Sequence, residues 1–290
     1  MRLRATFLTA LLLLAALGCA KTTGTGSVVV QGQTQATPSA ATQPDLASYF
    51  KPFPAGAFVL YDLKRDKYLR YNEARCRERF SPFSTYKIPN SLIGLDTGVI
   101  TGPEHVIKWD KQKYPPHDEE TLPFKDWWQD QTLRTAIRRS VVWYYRELAT
   151  AVGKPRMQEY VHGFRYGNED VSGPINNFWL NDSLKISADE QVEFLKRLYK
   201  EELPVSKRSI QIVKEITTLE ETPEYRLHGK TGGGPLGENR FLGWFVGYLE
   251  TKESTYFFAT EIEGPTYLSI RDERIALTKR ILSDLGHMKQ

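Results

Sequence analysis

After residue 46 the apolar positions of the chain change their spacing three times. Two β-rich stretches, AFVLYDL (57–63) and KYLRYN (67–72), read as a hairpin across a charged turn. The middle of the chain then takes helical spacing, first in TLRTAIRRSVVWYYRELATAV (132–152) and again in SADEQVEFLKRLYKEEL (187–203). The second of these opens with Ser187 and Glu190 at capping-box separation and is closed by Pro204. Strand character returns in EYRLHGK (224–230), FLGWFVGYLE (241–250) and STYFFATEIE (254–263), and a last helix is predicted over 272–285. Strands at both ends and helices between them predict an α/β (α+β) fold: a central antiparallel sheet built from both termini, flanked by helices, with a helical subdomain beside it. No internal repeat is evident.

The residues before this body have a different character. MRLRATFLTALLLLAALGCA (1–20) has a basic start, an apolar run from Phe7 to Leu17 and then small residues, the layout of an export signal. The run is short for a membrane span. Cleavage before Cys19, whose ALGC context is similar to a bacterial lipobox, would leave a lipidated cysteine and a membrane tether; cleavage after Ala20 would leave a soluble protein. The expected location is the periplasm, with an outer-membrane lipoprotein as one form. Residues 21–45 are rich in Gly, Ser, Thr, Gln and Pro without an aromatic, as in a flexible linker, and the folded domain is expected over 46–290.

Composition narrows the function by exclusion. With 40% hydrophobic and 12% aromatic residues among 290, the chain can bury a large core. Its formal charge of +4 drops by two without Arg2 and Arg4, and both signs alternate along the rest, so no nucleic-acid partner is indicated. The five histidines form neither an H-x-H nor an H-E-x-x-H pair, so no metal is expected. Only Cys76 remains in the body.

Chemistry enters through FSPFSTYKIPNS (80–91), in which Ser84 precedes Lys87 by three positions. On a helix the two share a face and approach hydrogen-bonding distance. The same spacing occurs at Ser48 and Lys51, but Pro52 follows immediately and biases Lys51 away from helical geometry, so that copy is a coincidence. A lysine titrating near 10.4 is a poor base at neutral pH, and burial lowers that value. Tyr86, Ile88, Leu92 and Ile93 offer an apolar setting.

Further along, Ser140-Val141-Val142 sits at or within a helix, Tyr166-Gly167-Asn168 and FWLNDSLKIS (178–187) follow, and Lys230-Thr231-Gly232 lies in HGKTGGGP between strand-like segments. Singly, Trp179 reads as a core aromatic, Arg274 as a solvated helix residue and Tyr166-Gly167-Asn168 as a turn. Together, in this order and approximate spacing, the motifs resemble the class D β-lactamases of the penicillin-recognising serine enzymes, over roughly residues 46–285, with a β-lactamase/penicillin-binding-protein-like fold. Class A enzymes are a poorer match, because no S-D-N occurs.

The resemblance implies a small-molecule β-lactam substrate and hydrolysis through an acyl-enzyme on Ser84. It implies that Lys87 is carboxylated by carbon dioxide, with no other cofactor, and serves as general base for acylation and deacylation. Ser140 would relay a proton to the departing nitrogen, Lys230 would supply positive charge, and backbone N–H groups of Ser84 and Gly233 would form the oxyanion hole. Trp179, Val142 and Leu180 would support the carbamate, while Thr231, Gly232 and Arg274 would bind the substrate, Thr231 and Arg274 through its carboxylate. Arg271 competes with Arg274 for that role. The alternative is a penicillin-binding sensor domain that stays acylated; a cell-wall transpeptidase or carboxypeptidase is a third reading, and a homodimer is compatible with any of them.

Overall fold

The computed structural model describes residues 45–116, 124–180 and 183–288. The export signal, Cys19 and the linker up to residue 44 lie outside the described residues.

The described chain starts with α1 (Leu46–Phe50), capped by Asp45, whose carboxylate accepts from the Ala47 N–H at 3.1 Å. The hairpin follows as β1 (Gly56–Asp62) and β2 (Lys67–Tyr71), then α2 (Glu73–Cys76). A single 3₁₀ turn, Phe83–Tyr86, runs directly into α3 (Lys87–Asp96). The helical subdomain comprises a two-stranded ribbon of β3 (Val106–Ile107) and β4 (Gln131–Thr132), then α4 (Leu133–Arg139), α5 (Val142–Val152) and α6 (Lys154–Gly163). After α7 (Ala188–Tyr199) and α8 (Lys207–Ile216) come β5 (Thr218–Glu221), β6 (Tyr225–Gly237), β7 (Arg240–Thr251) and β8 (Thr255–Gly264). Two helices, α9 (Tyr267–Arg271) and α10 (Glu273–Asp284), close the described chain.

The main sheet is antiparallel, with strand order β2-β1-β8-β7-β6-β5. The expectation of one sheet assembled from both termini is met where β1 pairs with β8, Gly56 opposite Ile262 through Asp62 opposite Tyr256. Both faces of the central strands are covered, which explains why their sequences are nearly continuously apolar. Ala57, Val59 and Tyr61 point to one core with α3, α5, α7 and α8; Phe58 and Leu60 point to the other with α1 and α10. The same alternation runs through β7, with Trp244, Val246 and Tyr248 on the first face and Phe245 and Leu249 on the second.

Three local expectations need correction. The predicted helix over 132–152 is two helices, because Ser140 adopts a left-handed conformation (φ 59°) at the end of α4 and α5 begins two residues later. Helical spacing persists across the break, so apolar periodicity could not detect it. Ser84 lies in a 3₁₀ turn rather than in the α-helix itself. The strand beginning near 224 continues to Gly237, because each residue to Pro235 finds a partner on β7. The Ser187–Glu190 capping box is present as read: the Glu190 N–H donates to Ser187 Oγ at 3.2 Å and the Ser187 N–H to Glu190 Oε2 at 2.9 Å.

Candidate active site

The 3₁₀ turn bearing Ser84 is wedged between β6 and the segment ending at Leu180. On one side the Phe83 N–H donates to the Trp179 carbonyl at 3.0 Å and Ser81 Oγ donates to the same carbonyl at 2.8 Å. On the other side β6 passes so close that a Cβ on Gly232 would lie 2.7 Å from the Pro82 carbonyl oxygen and 3.0 Å from the Thr85 nitrogen. Glycine there is a requirement of backbone approach. Trp244 Nε1 adds a bond to the Ser81 carbonyl at 3.0 Å, so the turn is held from β7 as well.

Within this frame Lys87 Nζ donates to Ser84 Oγ at 2.6 Å. Lys87 is the first residue of α3 and is 1% exposed, with Nζ 5.4 Å from the centre of the Tyr145 ring. Burial first, then the charges of Lys230 and Arg146, push its pKa well below the usual lysine range. A second lysine–serine pair lies alongside: Lys230 Nζ donates to Ser140 Oγ at 3.0 Å and to the Thr231 carbonyl at 2.9 Å. Burial, with a further contribution from Arg274, brings Lys230 down to about 7. Ser140 can reach that partner because the break between α4 and α5 turns its side chain away from a helical course.

Ser84, Ser140, Val142, Leu180 and Gly233 border one cavity of about 630 Å³. Lys87 and Trp179 are buried beside it, the indole of Trp179 stacked on the Tyr86 ring at 5.6 Å between centres. Trp179 Nε1 is buried without a hydrogen-bond partner among the described residues. Such a donor is costly unless something accepts from it.

Tyr166-Gly167-Asn168 supports this arrangement from behind. Gly167 has φ 60° and lies against the Lys185 carbonyl, leaving no room for a Cβ. The Lys185 N–H donates to Asn168 Oδ1 at 2.9 Å and Asn168 Nδ2 donates to the Ser183 carbonyl at 2.8 Å. Tyr166 packs its ring edge against Tyr86.

Arg274 is buried at 3% exposure, with Nη1 donating to the Gly232 carbonyl at 2.5 Å and Nη2 to the Tyr267 hydroxyl at 3.3 Å. Its competitor Arg271 is paired with Asp272 through Nε at 3.0 Å and Nη2 at 2.7 Å. Thr231 borders a neighbouring cavity of about 310 Å³ with Lys230, Arg138 and Ile275, and is absent from the lining of the one that contains Ser84. Side chains the sequence reading left out also line the larger cavity: Phe124, Trp127, Trp128, Trp143, Arg146 and Tyr267. Arg146 was within reach of sequence reasoning, since it lies four residues beyond Val142 and shares its helical face.

Over residues 24–285 the chain matches the penicillin binding protein transpeptidase domain. It is 42% identical over 208 residues to the probable β-lactamase YbxI of Bacillus subtilis, covering 72% of this chain and 74% of that protein. It is 39% identical over 221 residues to the regulatory protein BlaR1 of Bacillus licheniformis, covering 76% of this chain and 35% of that longer protein. Among solved structures, a class D β-lactamase from Sebaldella termitidis superposes with a TM-score of 0.78 at 36% identity, covering 84% of this chain and 96% of that one. The chain belongs to the penicillin binding protein transpeptidase family and, within it, to the class D β-lactamases, which are serine hydrolases.

Proposed function

We propose that the protein hydrolyses β-lactam antibiotics through an acyl-enzyme on Ser84, and that it is exported, tethered through Cys19 if that residue is lipidated. The observation that carries the catalytic reading is the 2.6 Å bond between Lys87 Nζ and Ser84 Oγ at a lysine whose charge is opposed by burial. A nucleophile next to a base whose charged form is disfavoured by burial meets the first requirement of covalent catalysis.

Lys87 takes the Ser84 proton as Oγ attacks the lactam carbonyl. The Ser84 and Gly233 N–H groups would donate to the oxygen where charge develops. Ser140 passes a proton to the departing nitrogen and regains one from Lys230, its neighbour at 3.0 Å. Arg274, close to the Gly232 carbonyl, supplies a fixed charge toward the substrate carboxylate, with Thr231 and Gly232 on the same strand. Carbon dioxide taken up by the neutral amine of Lys87 would supply a carboxylate as the general base. Trp179, Val142 and Leu180 fit that modification: Trp179 Nε1 has a donor to give, and the other two side chains keep the surroundings apolar.

The likeness to BlaR1 makes the fate of the acyl group the deciding measurement. Mass spectrometry after mixing with benzylpenicillin is expected to find an adduct on Ser84 that clears while penicilloate accumulates. An adduct persisting for hours would replace hydrolysis with the sensor reading. Trp179→Phe is expected to retain acylation, lose about 10²-fold in deacylation and recover in part with added bicarbonate; indifference to both would remove the carbamate from the mechanism.

A further inference from the structure

The guanidinium of Arg146 is a cation at the site for which the reaction above has no use. It lines the cavity with Ser84, Val142 and Leu180. Nη2 donates to Asn177 Oδ1 at 3.0 Å, and Nε is buried with no hydrogen-bond partner among the described residues. The carboxylate next to it in sequence, Glu147, faces Lys113 at 2.6 Å and the Tyr114 hydroxyl at 2.5 Å. Arg146 has no ion pair among the described residues.

Its one side-chain bond among the described residues is to Asn177. Asn177 opens the turn that carries Trp179 and Leu180: the Asn177 N–H donates to the Pro174 carbonyl at 2.8 Å, and the Leu180 N–H donates back to the Asn177 carbonyl at 2.8 Å. The Trp179 carbonyl in turn accepts from Phe83 and Ser81, the residues leading into Ser84. Arg146 therefore connects α5, which presents Val142, to the turn that presents Trp179 and Leu180. A partly buried guanidinium at this position also favours whatever is less positive on the neighbouring lysine.

We infer that Arg146 is a positioning residue for carboxylation of Lys87: it fixes the Asn177–Leu180 turn over the lysine and supplies the positive field in which a neutral amine, and then an anion, is favoured there. This rests on the carbamate reading above. Among the described residues, the groups facing Lys87 are Lys230 from β6, Arg146 and the Tyr145 ring from α5, and Ser84 from its own turn. Lys230 and Arg146 both oppose an ammonium, and the direction of the Lys87 shift agrees with that.

The experiment is 13C NMR of the full-length protein titrated with labelled bicarbonate across pH, reading the carbamate signal itself. Arg146→Gln is expected to raise the half-saturating bicarbonate about tenfold and to move the pH midpoint of carboxylation up by about one unit, as expected for removing one cation at an effective dielectric near 20. Arg146→Lys keeps the charge and is expected to keep the midpoint. Asn177→Ala cuts the bond and keeps the charge, so it is expected to raise the half-saturating bicarbonate by less than Arg146→Gln does. Unchanged bicarbonate dependence and midpoint in Arg146→Gln would overturn the inference while the wild-type signal keeps the carbamate reading. If Arg146→Gln does not fold, an unchanged half-saturating bicarbonate in Asn177→Ala overturns it equally. Absence of a carbamate signal in the wild type would remove both.

Discussion

Buried charge is handled in two opposite ways at two places in this molecule. On the β8 end of the sheet, Arg75 donates through Nη2 to Glu261 at 3.0 Å and to Glu263 at 2.6 Å, and Arg240 reaches Glu263 through Nε at 3.0 Å. Each buried carboxylate there has a guanidinium against it. Around Ser84 the cations Lys87, Lys230, Arg146 and Arg274 have hydroxyls, carbonyls and an amide as hydrogen-bond partners instead of carboxylates among the described residues. The first arrangement offsets part of the cost of burying ions, leaving Glu261 raised to about 7 by burial; the second has no opposite charge to offset it, and both lysines are pushed below the usual range, Lys230 to about 7. Uncompensated buried charge is thus a mark of the reactive region, and paired buried charge a mark of the scaffold.

The largest effect that would break this comparison is at Lys87. Lys87→Met is expected to cost about 10⁴-fold in kcat/KM for benzylpenicillin while leaving the thermal midpoint unchanged or higher, since it exchanges a buried polar amine for an apolar chain. A clear loss of stability in a protein with normal secondary structure would mean that Lys87 is part of the scaffold. Arg75→Met should do the reverse. It strands Glu261 inside the sheet and leaves Glu263 with Arg240 alone, and is expected to cost about 3–5 kcal/mol by denaturant unfolding, with kcat of the folded fraction nearly unchanged.

The smallest effect is a difference in pH dependence. The Lys230 pKa falls on folding, so between about 7 and 10.5 the unfolded chain holds a proton that the folded chain has released, and this residue's contribution to stability increases as pH rises through that window. Burial raises Glu261 from 4.5 to about 7 despite Arg75, so its contribution is greatest below 4.5 and is lost as pH rises toward 7. Unfolding curves of Lys230→Met and Glu261→Gln against the wild type are expected to diverge in these separate windows. Coincident pH profiles would erase the distinction between the two regions.

The legibility of the site followed the same division. Ser84, Lys87 and the Lys230-Thr231-Gly232 strand could be read because close approach and covalent chemistry admit few residue types, and Gly232 shows the steric reason directly. Trp179 and Arg274 could be read only jointly with them, since a buried indole or guanidinium is otherwise an ordinary packing choice. The break at Ser140 was hidden, because the apolar spacing of 132–152 is helical on both sides of a single left-handed residue. That Thr231 borders a neighbouring cavity and Arg146 the one with Ser84 was not legible, because cavity shape is set by neighbouring elements.

Order of motifs, strand and helix content, and the lysine–serine spacing were determined by the sequence itself, through local propensity and through residue types that the backbone or the chemistry cannot exchange. Only the tertiary structure decided that Lys87 is dry, that Lys230 meets Ser140, and that an arginine on α5 holds the turn carrying Trp179. Desolvation and cross-element distance depend on what packs against a residue, and no local stretch of chain carries that information.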